Sequence, residues 1–266
     1  MITKCVISDK NQILSYIGSD YASCLYLYLD LVKYGIDSGI IDVYIQTTSN
    51  KVEAVLLKYY SCLHVYSRGN KFDAEELATF FLDNKYTILY CPAETAGRIY
   101  DAFPDKTKKQ VIITEGWVAQ IKNVDRKPKG LSILAAKEDF EQIVRLIYED
   151  DDIGRAYKIE ELSKQLEERN KEGYARNLVI KKDDLVIAHA CTNAEIGNIA
   201  VVAELLVRKE YRKQGYASEI WRDICGKLIS EGKEVYSFYY SEESRRLHKH
   251  IGFDEICEWG KIVIEE

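Results

Sequence analysis

The chain has 266 residues, 30% of them charged, with a formal net charge of −6. The acid excess excludes the basic footprint of a general nucleic-acid binder, and no apolar run approaches the roughly 18 residues of a membrane span, so no nucleic acid and no membrane is expected as a partner. The opening MITKCVISDKNQ lacks the charged-then-apolar pattern of a secretory signal, which points to the cytoplasm. Cys5, Cys24, Cys62, Cys91, Cys191, Cys225 and Cys257 form no CxxC pair and read as reduced thiols. The four histidines, His64, His189, His248 and His250, do not combine with them at zinc-site spacing, so no metal is expected.

Taken in chain order, residues 22–34 have the length and apolar stripe of a helix. Residues 40–48 and 51–58 read as strands joined over Thr48-Ser49-Asn50-Lys51, with a third strand at 62–67. A helix follows at 73–84, with Asp73 as N-cap and Glu76 completing a capping box. Residues 86–91 read as a strand, 93–103 as a helix and 111–114 as a strand. The charged stretch 122–130, with Pro128 and Gly130, is the candidate linker.

Beyond it, a strand at 131–135 leads to a helix at 138–148, an acidic break at 149–154, and a second helix stopped by Gly173. Residues 177–180 and 185–191 form a hairpin over 181–184. A turn at 193–198 precedes the apolar strand 199–207. After Gly215 comes a helix whose Ile220, Trp221, Ile224, Cys225, Leu228 and Ile229 repeat at three and four, as a helix packed on a sheet requires. Residues 235–240 read as a strand, Ser241 to Gly252 as a helix, and 256–266 as one or two strands. Both halves share a rough element order, which suggests duplication of one α/β unit built on a mixed sheet.

The informative segment is 205–218, where a buried strand meets an amphipathic helix. Arg212-Lys213-Gln214-Gly215-Tyr216-Ala217 fits R-x-x-G-x-A. The first turn of a helix has unpaired N–H groups and the positive end of its dipole, and a phosphate satisfies both. Gly215 lets the backbone curl towards a diphosphate, Ala217 keeps the entry small, Arg212 and Lys213 add positive charge, and Ser218 offers a hydroxyl. Without its context the pattern is equally an ordinary basic turn. It is not a P-loop, lacking G-K-[ST], and Gly173-Tyr174 and Gly252-Phe253 form no dinucleotide fingerprint, because neither opens a helix after a strand.

The run Val207-Arg208-Lys209-Glu210-Tyr211-Arg212-Lys213-Gln214-Gly215-Tyr216-Ala217, with Ser241-Glu242-Glu243-Ser244-Arg245-Arg246-Leu247-His248-Lys249-His250-Ile251-Gly252-Phe253 downstream, resembles the GNAT acyltransferase superfamily. The resemblance covers residues 131–266. It implies tandem GNAT-like domains: a GNAT N-acyltransferase domain at 131–266 and, at 1–125, a degenerate copy that has lost coenzyme A binding. The implied reaction is acetyl transfer from acetyl-CoA (coenzyme A as co-substrate) to a primary amine in a ternary complex. Coenzyme A would rest its diphosphate on the amides of 213–218 and pair its pantetheine arm with Leu205, Leu206 and Val207, one of whose N–H groups would polarise the thioester carbonyl. Ser241 and Ser244 stand where the family has Asn and Ala, and count among the expected cofactor contacts.

His248 stands where the family often has a tyrosine that protonates the leaving thiolate, so His248 is the expected acid, with Tyr239 and Tyr240 as rivals. Glu204 is the expected base, with Glu195 behind it. For each of these the alternative is an ordinary packing or surface residue. A non-catalytic acyl-CoA-binding regulatory module is the competing function, and a homodimer is compatible with either.

Overall fold

Two runs of apolar alternation and helical periodicity give the halves of the chain the same sequence of elements. The computed structural model describes residues 1–60, 62–150 and 159–265. The first run is β1 (Ile2–Lys4), α1 (Lys10–Ile17), α2 (Leu25–Tyr34), β2 (Ile41–Thr48), β3 (Lys51–Tyr59), β4 (Cys62–Tyr66), α3 (Ala74–Asp83), β5 (Ile88–Pro92), α4 (Ala93–Ala102), the short α5 (Asp105–Lys108) and β6 (Val111–Ile121). The second is β7 (Ile133–Leu134), α6 (Phe140–Tyr148), α7 (Ile159–Lys171), β8 (Asn177–Lys182), β9 (Leu185–Ile196), β10 (Ile199–Val207), α8 (Tyr216–Ser230), β11 (Glu234–Tyr239), α9 (Glu242–Ile251) and β12 (Phe253–Ile264). Apart from α5, the order is the same.

The chain divides into two units, Met1–Val118 with Ile256–Glu266, and Ala119–Glu255. In unit 1 the strand order is β1-β2-β3-β4-β5-β12; β4 and β5 are parallel and the other pairs antiparallel. In unit 2 the order is β11-β10-β9-β8-β7, with β10 and β11 the parallel pair. Each unit thus places one parallel pair next to an antiparallel meander. Both meanders begin with a hairpin whose two turn residues are left-handed, Ser49 and Asn50 in one, Asp183 and Asp184 in the other. That is the turn whose twist matches the strands.

Two clusters fill unit 1. One places α3 and α4 on the sheet through Leu77, Phe81, Ala96 and Ile99, and the other places α1 and α2 there through Ile13, Ile17, Leu27 and Leu31. In unit 2, α6 and α7 pack through Ile143, Ile147, Leu162 and Leu166 on Val179, Val186 and Leu206. From α8, Ile220, Trp221, Ile224, Cys225 and Leu228 are buried as expected, while Ile229 is only half-buried. Among the described residues no helix is long and apolar enough to cross a membrane.

Several expectations change. The chain takes on structure from residue 2, ahead of the first expected helix. Asp73 does cap α3, its carboxylate accepting from the Glu76 N–H at 3.0 Å, but no capping box closes. Glu76 instead accepts from the Ile2 N–H and from the Gln46 amide, and Gln46 takes the Asp73 N–H. Strand β9 runs to Ile196, so the turn expected at 193–198 shrinks to Gly197-Asn198. The strand expected at 131–135 is only Ile133–Leu134.

The acidic break at 149–154 lies outside the described residues from 151 onward. The stretch 122–130 has no regular structure, as expected of a linker, but it is pinned to α8: Asp125 accepts twice from Arg222, and Asp223 accepts from the Gly130 N–H. The unit boundaries fall elsewhere, and residues 256–266 go with unit 1 because Trp259–Val263 pair with Ile88–Pro92.

Candidate functional site

The parallel pairing of β10 with β11 ends at Val202↔Ser237. Beyond that point β10 continues for five residues, to Val207, paired among the described residues with β9 alone. Between Ala203 and Leu206 the register to β9 shifts by one residue, and Glu204 sits in the left-handed region at φ 53°. This is a β-bulge, a device that re-aims side chains and frees backbone groups. A glutamate held left-handed is strained, and such strain concentrates at functional sites.

The turn after β10 leads into α8. Lys213 (φ 60°) and Gly215 (φ 85°) are both left-handed, and alternation of this kind curls successive amides towards one side. No side chain caps α8, and the first N–H to find an acceptor is that of Glu219, on Gly215 O at 3.1 Å. The N–H groups of Lys213, Gln214, Gly215, Tyr216, Ala217 and Ser218 have no acceptor among the described residues. The space in front of Gly215 is open: a Cβ built there meets nothing within 4 Å. Arg212 donates through Nε to Val207 O at 3.0 Å, and its guanidinium end is half exposed beside Asp150. A cavity of about 280 Å³ lies at the end of β10, lined by Leu206, Val207, Arg208, Lys209 and Arg212 together with the acids Glu149, Asp150 and Glu210.

His248 is buried at 5% exposure among Trp221, Tyr239 and Phe253. Its Nδ1–H donates to Ser244 O at 2.7 Å, and its Nε2 accepts from the Ser237 hydroxyl at 2.9 Å. Burial pushes its pKa down to about 4, against the Ser244 carbonyl, which raises it. Neither ring nitrogen is left to meet a thiolate. As placed here, His248 braces β11 against α9.

Ser241 accepts the Ser244 N–H at 3.1 Å, capping α9. Gly252 ends that helix at φ 115°, where a Cβ would lie 2.9 Å from Asn123 O, so the glycine of the downstream motif is there for packing. Tyr239 is buried and donates to Glu255, whereas Tyr240 is exposed.

Of the two acids, Glu195 is tied up by the Arg176 guanidinium (2.6 Å), Lys233 and the Thr192 hydroxyl. Glu204 has no such clamp. Burial raises its carboxyl, opposed by the charge of Arg169 and a contact with the Cys191 thiol. It borders a cavity of about 20 Å³ together with Arg169, Asn177, Cys191 and Thr192, room for about one water.

Residues 137–253 match the Acetyltransferase (GNAT) family. Unit 2 therefore carries a GNAT-family domain. Solved structures with the same fold include a GNAT-family acetyltransferase from Colwellia psychrerythraea (11% identity, 100% of both chains, TM-score 0.64). Another is a GCN5-related N-acetyltransferase from Sphaerobacter thermophilus (16% identity, 98% of this chain and 94% of that one, TM-score 0.64). A tandem GNAT protein from the clavulanic acid biosynthesis pathway aligns at 11% identity over 99% of this chain and 98% of its own, TM-score 0.60. At these identities the likeness is one of fold, and it extends over both units: the chain has a tandem GNAT fold. No curated protein matches the sequence.

Of the expected residues, Leu206, Val207 and Arg212 line the cavity of about 280 Å³, and residues 213–218 form the open turn that follows Arg212. The GNAT domain sets Ser241, Ser244 and His248 into the start and packing of α9. The sequence reading missed the grouping of His189 and Cys191 with Glu204. The signal was there in the His-x-Cys alternation, which puts both side chains on one face of a strand.

Proposed function

We propose that the protein is an acyl-CoA-dependent N-acyltransferase, with acetyl-CoA as donor and a primary amine as acceptor, and that unit 2 does the chemistry. The observation that carries this reading is the run of unbonded amides from Lys213 to Ser218 at the open start of α8. A diphosphate supplies the acceptors these donors lack and complements the helix dipole, with Arg212 and Lys213 adding charge. Pantetheine then lies along Leu205, Leu206 and Val207, on the side of β10 that β11 has left, and pairs with backbone as an added strand does.

In the reaction, the amine nitrogen attacks the thioester carbon while an amide of the bulged strand stabilises the developing oxyanion. The C–S bond breaks and coenzyme A leaves as its thiolate. The amine proton passes to the Glu204 carboxylate, whose burial makes it a stronger base than a surface acid. A free thiol titrates near 8.5, so the departing thiolate can take its proton from water, and the reading needs no enzymic acid in place of His248.

The test is calorimetry with coenzyme A, followed by a panel of amines with detection of free thiol. One coenzyme A per chain and steady turnover on at least one amine is the expected result. Glu204→Gln is expected to keep coenzyme A affinity and lower kcat by about 100-fold, the size of a general-base contribution. Tight binding with silence across the panel would favour a non-catalytic acyl-CoA module, and absence of binding would remove the whole reading.

A further inference from the structure

The bulge that lifts Glu204 out of the strand pattern also delivers it to two other side chains. His189 and Cys191 stand at i and i+2 on β9, so they share a face. Ala203 lies opposite Cys191 in the antiparallel register. In a regular strand the next residue, Glu204, would point to the other face. With one extra residue in β10 and Glu204 at φ 53°, its carboxylate instead joins the ring nitrogen of His189 and the sulfur of Cys191, all within 4.8 Å of one another.

His189 is fully buried. Its Nε2 lies 3.0 Å from Asn177 Oδ1, an acceptor, which assigns the proton to Nε2 and the lone pair to Nδ1; the Glu204 backbone is the polar group that opposes the effect of burial on the ring. That Nδ1 is buried and has no hydrogen-bond partner. A buried group of this kind calls for an unseen water or ion. The arrangement also has the form of a metal-ligating histidine, whose second nitrogen is fixed by an outer amide or carboxylate partner. The cavity of about 20 Å³ lined by Cys191, Glu204 and Asn177 has room for one water as a fourth ligand. Around a tetrahedral zinc, donors at about 2.0–2.3 Å from the metal stand about 3.3–3.8 Å apart. The present spacing therefore closes onto an ion with shifts of an ångström or so. Arg169 is the cation that faces the group from α7, and the thiolate and carboxylate together offset the charge of the metal.

The geometry points to a site for one zinc-class divalent cation held by His189, Cys191 and Glu204. Nitrogen, sulfur and oxygen together select a borderline metal over magnesium or calcium, which take oxygen ligands. On the proposed base role of Glu204, the occupied site is inhibitory: a carboxylate bound to the ion cannot receive the proton of the amine.

The test uses the full chain after chelation, titrated with cobalt(II) and then zinc in the absence of coenzyme A. One equivalent with a thiolate-to-cobalt absorption band, displaced by zinc, is expected. X-ray absorption of the zinc form should show one sulfur at about 2.3 Å, the remaining donors being nitrogen or oxygen at about 2.0–2.1 Å. Cys191→Ala should lose both the band and the sulfur contact while binding coenzyme A like the parent. Asn177→Ala should weaken zinc by about 10–100-fold through loss of the outer partner. No bound equivalent, no sulfur or more than one in the zinc form, or a sulfur contact that survives in Cys191→Ala would overturn the site. The zinc spectrum of the parent decides even if the variants fail to fold. These measurements do not involve coenzyme A, so they fail independently of the transferase reading. Transfer activity indifferent to a bound equivalent of zinc would overturn the inhibitory role alone.

Discussion

In unit 1 the helix that follows β4 opens on Asp73, whose carboxylate accepts from the Glu76 N–H at 3.0 Å. In unit 2 the helix that follows β10 opens on Gly215 with no side-chain cap. The two helices occupy the same place in the same element order, yet only α3 has a side-chain cap on its first turn. The turn before α3 is occupied by its own protein: the Arg68 N–H donates to the Tyr16 hydroxyl, Asp73 N–H to Gln46, and the Arg98 guanidinium to the carbonyls of Asn70 and Phe72. A carboxylate already sits where a phosphate would have to come. Both units thus place a helix start after a strand at the same point of the element order, and the two starts differ in their capping. The Asp73 cap contributes about 1 kcal/mol of helix stability, the usual worth of such a cap.

The sharpest way to break this contrast is to write the unit 1 solution into unit 2. Gly215→Asp places a negative charge at the amides of 213–218, and its expected cost is about 100-fold or more in coenzyme A affinity, or roughly 2.7 kcal/mol, by calorimetry. Arg212→Glu should act in the same direction. The position in unit 1 that matches Gly215 is already an aspartate, Asp73, and a glycine-to-aspartate change at Gly69, in the turn before it, should leave both affinity and the one-to-one stoichiometry untouched. If Gly215→Asp bound coenzyme A as the parent does, the difference in capping would not be what separates the units.

Both units should lose stability in acid, unit 2 the more, because unit 1 buries His64 whereas unit 2 buries both His189 and His248. Burial pushes His64 in unit 1 and His248 in unit 2 down to about 4. The unfolded chain binds these protons from about pH 6.5 downward, and the folded chain binds them only near 4. Stability is therefore full above 6.5 and is lost as pH falls towards 4, by up to about 1.4 kcal/mol per unit for each histidine. His248→Gln and His64→Gln should each flatten the pH dependence of the urea midpoint between 6.5 and 4 by one proton. The double variant should show the sum, because the sites lie in different units and share no partner. A slope unchanged by His248→Gln would mean that the imidazole is charged in the fold.

Much of this architecture could be read from residue order. Strand β10 was legible to the residue because an apolar run broken only by Glu204 lies between Asn198 and Arg208, and α8 because its stripe keeps helical spacing from Ile220 to Ile229. The turn at 212–217 was legible as a strand-to-helix junction because Gly215 falls between the apolar strand and the amphipathic helix. What stayed hidden depends on neighbours distant in sequence. His248 looks like a reactive residue in a motif, but Trp221 and Phe253, 27 residues before it and 5 after, close it off. Arg222 and Asp223 sit on what the helical pattern gives as a polar face, yet they are buried because residues 125–132 fold back onto them. The bulge at Glu204 cannot be read from IAVVAELLV alone, since one extra residue in a strand leaves no compositional mark.

The smallest expected effect separates the two parts of the unit 1 cap. Asp73→Ala removes both the hydrogen-bond acceptor and the charge, and should cost about 1 kcal/mol in urea unfolding. Asp73→Asn keeps an acceptor for the Glu76 N–H and removes only the charge, so its cost should be a few tenths of a kcal/mol, the smaller end of a charge–dipole interaction at an exposed helix start. Neither should create a second coenzyme A site. The amides of α3 would be freed, but Gln46 and Arg98 would still fill the turn in front of them. A second equivalent of coenzyme A bound by Asp73→Ala would show that one carboxylate had been the whole barrier. Stoichiometry held at one would show that unit 1 closed its site with a network of side chains, of which the cap is only the most visible member.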